Sequence, residues 1–335
     1  MLINQRVNLA AEDSDGYDGL KLAAKAGYSE IVRELLDKMV DPLKPSRSGN
    51  TAIHLAAEFG HPLTVGILLK KSPNGVDRMN NSKYSPLHLA AAGGYLNILQ
   101  QLLRVKEAHD IPERTHVTSD ENKSLEGSFV ITAHCNRTPL QLAAENGHLA
   151  VVQELLEPKI GHSVYNCSVA FFLAAANGHA SIVKRLLKHG IRNTVVDEEG
   201  NTPLHIAARE GHVGVILMLP DTPQFEVNAK NAKGWTPLHM AANFGDFRTV
   251  KELLKLSADI ELVTDNNDTP LLLAAASGHR LTTRELIEKA PDAKSRDKEG
   301  RKAIDIAAKR GHVAIVQELP LAAFSCSLLS MTRHW

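Results

Sequence analysis

Asp197-Glu198-Glu199-Gly200-Asn201-Thr202-Pro203-Leu204-His205-Ile206-Ala207-Ala208-Arg209-Glu210-Gly211-His212 is the stretch that decides the fold. Thr202 has a hydroxyl that can accept one of the unpaired N–H groups at a helix start. Pro203 suits the first helical position, where no N–H is required. Leu204, Ala207 and Ala208 then fall on one face at helical spacing. Gly211 stands where a helix closes through a residue with positive φ. The spacing therefore predicts a short first helix that ends at a glycine, entered through a turn centred on Gly200.

The same pattern recurs along the chain. Ala-Ala pairs begin at Ala23, Ala56, Ala90, Ala143, Ala174, Ala207, Ala241, Ala274 and Ala307, at intervals of 33, 34, 53, 31, 33, 34, 33 and 33 residues. A glycine follows every pair at the same distance, from Gly27 to Gly311. The helix-start place holds Asp18, Thr51, Ser85, Thr138, Ser168, Thr202, Thr236 and Thr269, all capping residues, and only Lys302 departs. A second helix is expected over Ile31–Leu36, Thr64–Leu69, Ile98–Leu103, Val151–Leu156, Ile182–Leu187, Thr249–Leu254 and Thr282–Ile287. Turns are centred on Gly16, Gly49, Gly200, Gly234 and Gly300, with Asn136, Asn166 and Asn267 in the glycine's place elsewhere. Asparagine is the next-best residue for a left-handed backbone, and Lys83 is the poor fit.

This period and the Thr-Pro-Leu-His-x-Ala pattern resemble the ankyrin repeat family over residues 13–320. The resemblance implies an all-α fold. It would be an α-solenoid of about nine stacked repeats, each a helix-turn-helix with a hairpin finger. Helix starts are expected near 18, 51, 85, 138, 168, 202, 236, 269 and 302, after an N-terminal extension over 1–12 and before a non-repeat tail over 321–335. The resemblance specifies a fold closely and a function only loosely.

The 53-residue interval carries 20 residues more than one period. The excess, about 105–134, lacks helical or strand periodicity and reads as an inserted surface loop. Such loops are either functional or simply tolerated at a repeat junction. Repeat 5 begins Ser168-Val169-Ala170-Phe171 in place of Thr-Pro-Leu-His. In repeat 6 the second helix meets Leu219-Pro220, where proline should stop it early. The apolar tail could fold back over the last helix pair, or the chain could be a form of a longer protein.

Of 16 histidines, His54, His88, His205 and His239 share one slot, and His61, His148, His179, His212, His279 and His312 share another. Units stacked about 10 Å apart cannot bring one histidine each to a common metal ion, which needs its ligands within roughly 2.0–2.3 Å. No metal and no cofactor is expected. By resemblance, the first set bonds backbone and threonine hydroxyls between repeats. Cys135 and Cys167 flank turn asparagines and could be exposed, though nothing nearby would activate their thiols, and Cys326 lies in the tail. Asn-x-Ser/Thr at Asn80, Asn122, Asn136, Asn166 and Asn267 is mostly a by-product of turn asparagines near capping residues. There is no phosphate-binding loop, nucleophile elbow, zinc-protease helix or kinase motif, so the chain reads as not an enzyme.

Balanced charge, 38 basic against 38 acidic residues, argues against nucleic-acid binding. No apolar run reaches the roughly 18–20 residues needed to cross a bilayer, no secretory signal stands at the start, and three cysteines fit a reducing cytoplasmic setting. No membrane contact is expected, and the chain reads as a monomer. The two places between each Ala-Ala pair and its glycine vary freely, as on a recognition surface. In the family that surface is concave and binds protein. Phe59, Tyr84, Arg137, Arg209, Trp235, Asn243 and Phe244 are the candidate partner-binding residues. Aromatics and arginine commonly anchor interfaces, while Phe59 and Phe244 could instead pack locally. The first reading is thus a non-catalytic protein-protein interaction scaffold. The alternative is a truncated cytosolic arm of a transient-receptor-potential-type channel, because the array with its irregular insertion is similar to those of the A and N types.

Overall fold

The computed structural model describes residues 11–108, 129–131, 137–158, 160, 164–191, 195–221, 225–289 and 295–319. Every repeat place carries a helix pair. The first pairs are α1 (Gly19–Ala26) with α2 (Ser29–Asp37), α3 (Ala52–Glu58) with α4 (Pro62–Lys71), and α5 (Pro86–Ala92) with α6 (Leu96–Ala108). Next come α7 (Pro139–Glu145) with α8 (Leu149–Leu155), α9 (Val164–Ala176) with α10 (Ala180–Leu187), and α11 (Pro203–Arg209) with α12 (Val213–Ile216). The last are α13 (Pro237–Phe244) with α14 (Phe247–Lys255), α15 (Pro270–Ser277) with α16 (Arg280–Lys289), and α17 (Ala303–Lys309) with α18 (Val313–Glu318). The fold is the expected all-α solenoid of repeats.

The described residues fall into two compact units. One holds those of 1–123 and 134–170, the other those of 124–133 and 171–335. In the first unit α1, α3, α5 and α7 pack in series, as do α2, α4, α6 and α8. In the second, α11, α13, α15 and α17 form one row and α10, α12, α14, α16 and α18 the other. Alanine permits the close approach of the first helices: both members of each pair are 0–5 % exposed from Ala23 through Ala275. Branched residues of the second helices, such as Val32, Leu99 and Ile216, fill the space beside them. Each such side chain contributes about 1.5–3 kcal/mol when fully buried.

All nine helix-ending glycines have φ between 75° and 84°, so the position does require the left-handed region. At Gly211 a β-carbon would also lie 2.5 Å from Asp246 Oδ2 of the next repeat. In the finger turns Asn267 (φ 62°) and the ill-fitting Lys83 (φ 64°) both take the glycine conformation.

Repeat 5 departs from expectation. Its first helix starts at Val164 rather than near 168, so Ser168 lies inside it and does not cap it. Val169 stands where five of the other repeats have proline, and no proline or glycine interrupts the run from Val164 to Ala176, so Asn166 and Cys167 continue the helix. Asn166 is therefore not a turn residue, and Cys167 is buried rather than exposed. Burial raises its thiol pKa. In repeat 6 the second helix is a single turn, followed by a short 3-10 helix, Leu219–Asp221.

The interval read as loop also differs in part. Helix α6 runs on to Ala108, and β1 (Phe129–Ile131) pairs in parallel with β2 (Val195–Asp197), Val130 opposite Val196. Residues 109–128 and 132–136, Cys135 and Asn136 among them, lie outside the described residues, as do 1–10 and 320–335 with Cys326.

Candidate functional site

The finger face is built by hydrogen bonds that start at the helix caps. In the second unit the Thr202 N–H donates to His205 Nδ1 (3.2 Å), and the His205 N–H donates to Thr202 Oγ1 (3.4 Å). A backbone N–H can only donate, so Nδ1 is the unprotonated nitrogen and Nε2 carries the proton. Nε2 then donates to the Trp235 carbonyl in the next finger, 2.9 Å away. His239 does the same with Thr236 and the Asp268 carbonyl (3.0 Å). In the first unit His54 does it with Thr51 and the Tyr84 carbonyl (3.2 Å). A second proton on Nδ1 would face an N–H donor. Burial pulls His54, His88 and His239 down to about 4, and His205 in the same direction.

The second histidine set reaches the other way. Nε2 of His61, His148, His212, His279 and His312 lies 2.9–3.2 Å from a carbonyl in the preceding repeat: Lys25, Ala92, Ala176, Asn243 and Ala276 respectively. Sequence reasoning gave these residues no partner; their recurrence after each glycine was the available signal. In repeat 7 Asp246 takes this slot. It caps α14 through the Arg248 N–H (3.0 Å) and the Thr249 hydroxyl (2.9 Å).

Tyr84 and Trp235 are held alike, each in its own unit. Asn231 Oδ1 accepts the Trp235 N–H at 2.9 Å, while its amide donates to Asn201 Oδ1 at 2.7 Å. Asn80 Oδ1 accepts the Tyr84 N–H at 3.0 Å and its amide donates to Asn50 Oδ1 at 2.8 Å. Tyr84 stacks on His88 with ring centroids 5.6 Å apart, and Trp235 tilts over His239 at 6.4 Å. Both rings are half-buried. These asparagine ladders were missed as functional supports; the asparagine after Gly49 and after Gly200 was the legible hint.

The other candidates divide between the units. In the first, Phe59 is 44 % exposed, but Lys25 Nζ sits 5.2 Å from its centroid and 5.5 Å from that of Tyr17. Arg137 pairs with Glu145 at 3.6 Å and is largely covered. In the second unit Phe244 is 54 % exposed. Asn243 is half-buried; its side chain accepts from the Ser277 hydroxyl at 3.2 Å. Arg209 pairs with Glu210 at 2.7 Å. Trp235, Arg209, Asn243 and Phe244 thus belong to adjacent repeats of one unit. All eighteen residues between alanine pairs and glycines, from Lys25 to Arg310, are exposed or half-buried.

Among the described residues no group of three or more His, Cys, Asp or Glu side chains is placed to hold a metal ion. None of the described helices is long and apolar enough to cross a membrane. The arrangement offers aromatic, amide and ion-paired side chains at exposed or half-buried places.

A family model of ankyrin repeats (3 copies) matches seven overlapping stretches that run from residue 1 to residue 323. Ankyrin repeat protein nuc-2 of Neurospora crassa is 30 % identical over 262 residues, 76 % of this chain and 19 % of that protein. Alpha-latrotoxin-Lg1a of Latrodectus geometricus is 32 % identical over 108 residues, covering 32 % and 8 % of the two chains. Human SMC5-SMC6 complex localization factor protein 1 is 36 % identical over 66 residues, 20 % and 6 %. The chain therefore spans a fifth or less of the length of these relatives. With the repeat spacing, the paired helices and the histidine bonds between repeats all in agreement with that match, the chain belongs to the ankyrin repeat family.

Proposed function

We propose that the chain is a non-catalytic scaffold that holds a protein partner on its finger face. Ankyrin repeats are in general protein-protein interaction modules, and the finer reading rests on this chain's own residues. The observation that carries it is the split between constant and variable places. Alanine pairs, glycines and cap residues are spent on the fold, whereas the residues between pair and glycine differ in every repeat and reach solvent. In the second unit this places Trp235, Arg209, Asn243 and Phe244 in adjacent repeats. A partner with an apolar side chain beside a carboxylate or amide would match that set. The mixed, balanced charge favours such a partner over a polyanion. The reading as an arm of a channel has no specific observation in its favour.

Trp235→Ala with Phe244→Ala tests the proposal. Neither side chain is buried, so circular dichroism and melting temperature should hold within a few degrees. Affinity capture from native extract should lose its bound protein at least tenfold, about 1.4 kcal/mol or more. Undiminished capture by the double variant would remove the face from consideration.

A further inference from the structure

Lys25 of α1 is exposed, yet its side chain is held in place. Its Nζ lies 5.5 Å from the centroid of the Tyr17 ring and 5.2 Å from that of Phe59. The electron-rich face of each ring attracts the ammonium. The backbone around it is fixed too. His61 Nε2 lies 2.9 Å from the Lys25 carbonyl, and Asp13 Oδ1 accepts the Tyr17 N–H at 2.8 Å. A long side chain normally loses rotamer freedom when it binds, and here part of that loss is already incurred by the fold.

The charge of Lys25 is unanswered. Among the described residues no carboxylate forms an ion pair with it, Glu58 beside Phe59 included. The second unit supplies the contrast. Arg209 has the place of Lys25, two residues before the helix-ending glycine. Phe244 has the place of Phe59, one residue before the glycine of the following repeat. Arg209 is neutralised by its neighbour Glu210 at 2.7 Å. In repeat 1 the place of Glu210 is held by Ala26, which has no carboxylate to offer. In the first unit Arg137 is likewise answered, by Glu145 at 3.6 Å. The same layout of a cation before an aromatic ring thus occurs twice, once neutralised by the chain itself and once not.

The chemistry of the occupant follows from this difference. The two rings take the place of water beside the ammonium, so an arriving anion meets a less hydrated cation than an ordinary surface lysine. Phe59 keeps 44 % of its surface open next to that charge, and the exposed Ala26 is too small to overhang it. A single positive point beside an open apolar ring matches one carboxylate with an apolar group at its side.

We propose that Lys25, held between Tyr17 and Phe59, receives an acidic side chain of the protein partner on the finger face of the first unit. An apolar neighbour of that acidic residue rests on Phe59. The proposal rests on the scaffold reading above and adds the partner's chemistry at this unit.

The test uses the affinity-tagged full chain in native extract with a water-soluble carbodiimide, which joins an amine to a carboxylate where the two are in contact. Mass spectrometry should find an isopeptide bond between Lys25 and a glutamate or aspartate of the captured protein. Without the carbodiimide, Lys25→Met should lower capture about fivefold or more. It should also flatten the dependence of capture on salt between about 0.05 and 0.5 M, while Lys25→Arg keeps both capture and salt dependence. Both variants change an exposed place, so circular dichroism should stay the same. Equal capture by Lys25→Met and the unchanged chain, with no adduct at residue 25, would overturn the proposal and leave the scaffold reading standing. An isopeptide bond from Lys25 to a carboxylate of this chain would overturn it as well. No capture by the unchanged chain would overturn the scaffold reading, and this proposal with it.

Discussion

The fingers that carry Tyr84 and Trp235 are built to one plan in two units. Each has a cap histidine of the preceding repeat bonded to the aromatic residue's carbonyl, an asparagine holding its N–H, and a second histidine under the ring. They differ at the turn. Gly234 (φ 72°) leaves room for Asp265 of the next finger, whereas Lys83 adopts φ 64° with a full side chain. A β-carbon on Gly234 would meet Asp265 Oδ1 at 2.5 Å and its backbone nitrogen at 2.9 Å. The left-handed backbone is thus needed in both places, and the absence of a side chain has a packing reason in the second. What the fingers share is hydrogen bonding that fixes the backbone, and what varies is the ring offered to solvent.

The largest expected effect touches what the fingers share. His54, His88 and His239 are held neutral, with folded pKa near 4 against about 6.5 in the unfolded chain. Between those values the unfolded chain binds protons that the folded one does not. Stability is therefore fully present above about pH 6.5 and falls as pH drops toward 4, by up to roughly 3 kcal/mol per histidine. Melting temperature should fall steeply across that window in both units. His239→Gln should make the fall shallower at little cost near pH 7.5. Gln141 shows that the slot accepts glutamine, since its Oε1 accepts the Thr138 N–H at 3.1 Å. An unchanged acid slope would mean that other groups dominate the acid response.

Smaller effects separate the two turns. Gly234→Lys should destabilise by about 1–3 kcal/mol, from a strained φ and the encounter with Asp265. Urea unfolding measures it, and a cost near zero would show that the fingers can part freely. Lys83→Gly should be the mildest, a gain of a few tenths to about 1 kcal/mol from relieved strain, offset by the freer unfolded chain. A loss instead would mean that the Lys83 side chain has a supporting contact.

Most of the fold was legible because its rules are local. A cap residue, a proline and a glycine at set distances define one helix wherever they occur, and the alanine pair repeats the message nine times. The reading failed where a local rule was relaxed. Ser168 is a capping residue by type, but the residues before it carry the helix back to Val164, and Cys167 is buried within it. The strand Phe129–Ile131 was illegible because its partner Val195–Asp197 lies 66 residues away in sequence and neither has a strand-length pattern. The candidate site was legible as positions. Which candidates are already engaged was not, since the Arg137–Glu145 pair and the Lys25 contact with Phe59 depend on side-chain placement across or within repeats.

The central claim is that recognition belongs to the finger face and not to the second helices. Phe244 and Leu281, in the first helix of one repeat and the second helix of the next, make a matched pair: they are 54 % and 58 % exposed. A photo-crosslinking phenylalanine analogue at either place, irradiated in native extract, compares the two surfaces at equal accessibility. The account predicts a discrete adduct from position 244 and none from position 281. An adduct from 281 alone, or the same adduct from both, would contradict it.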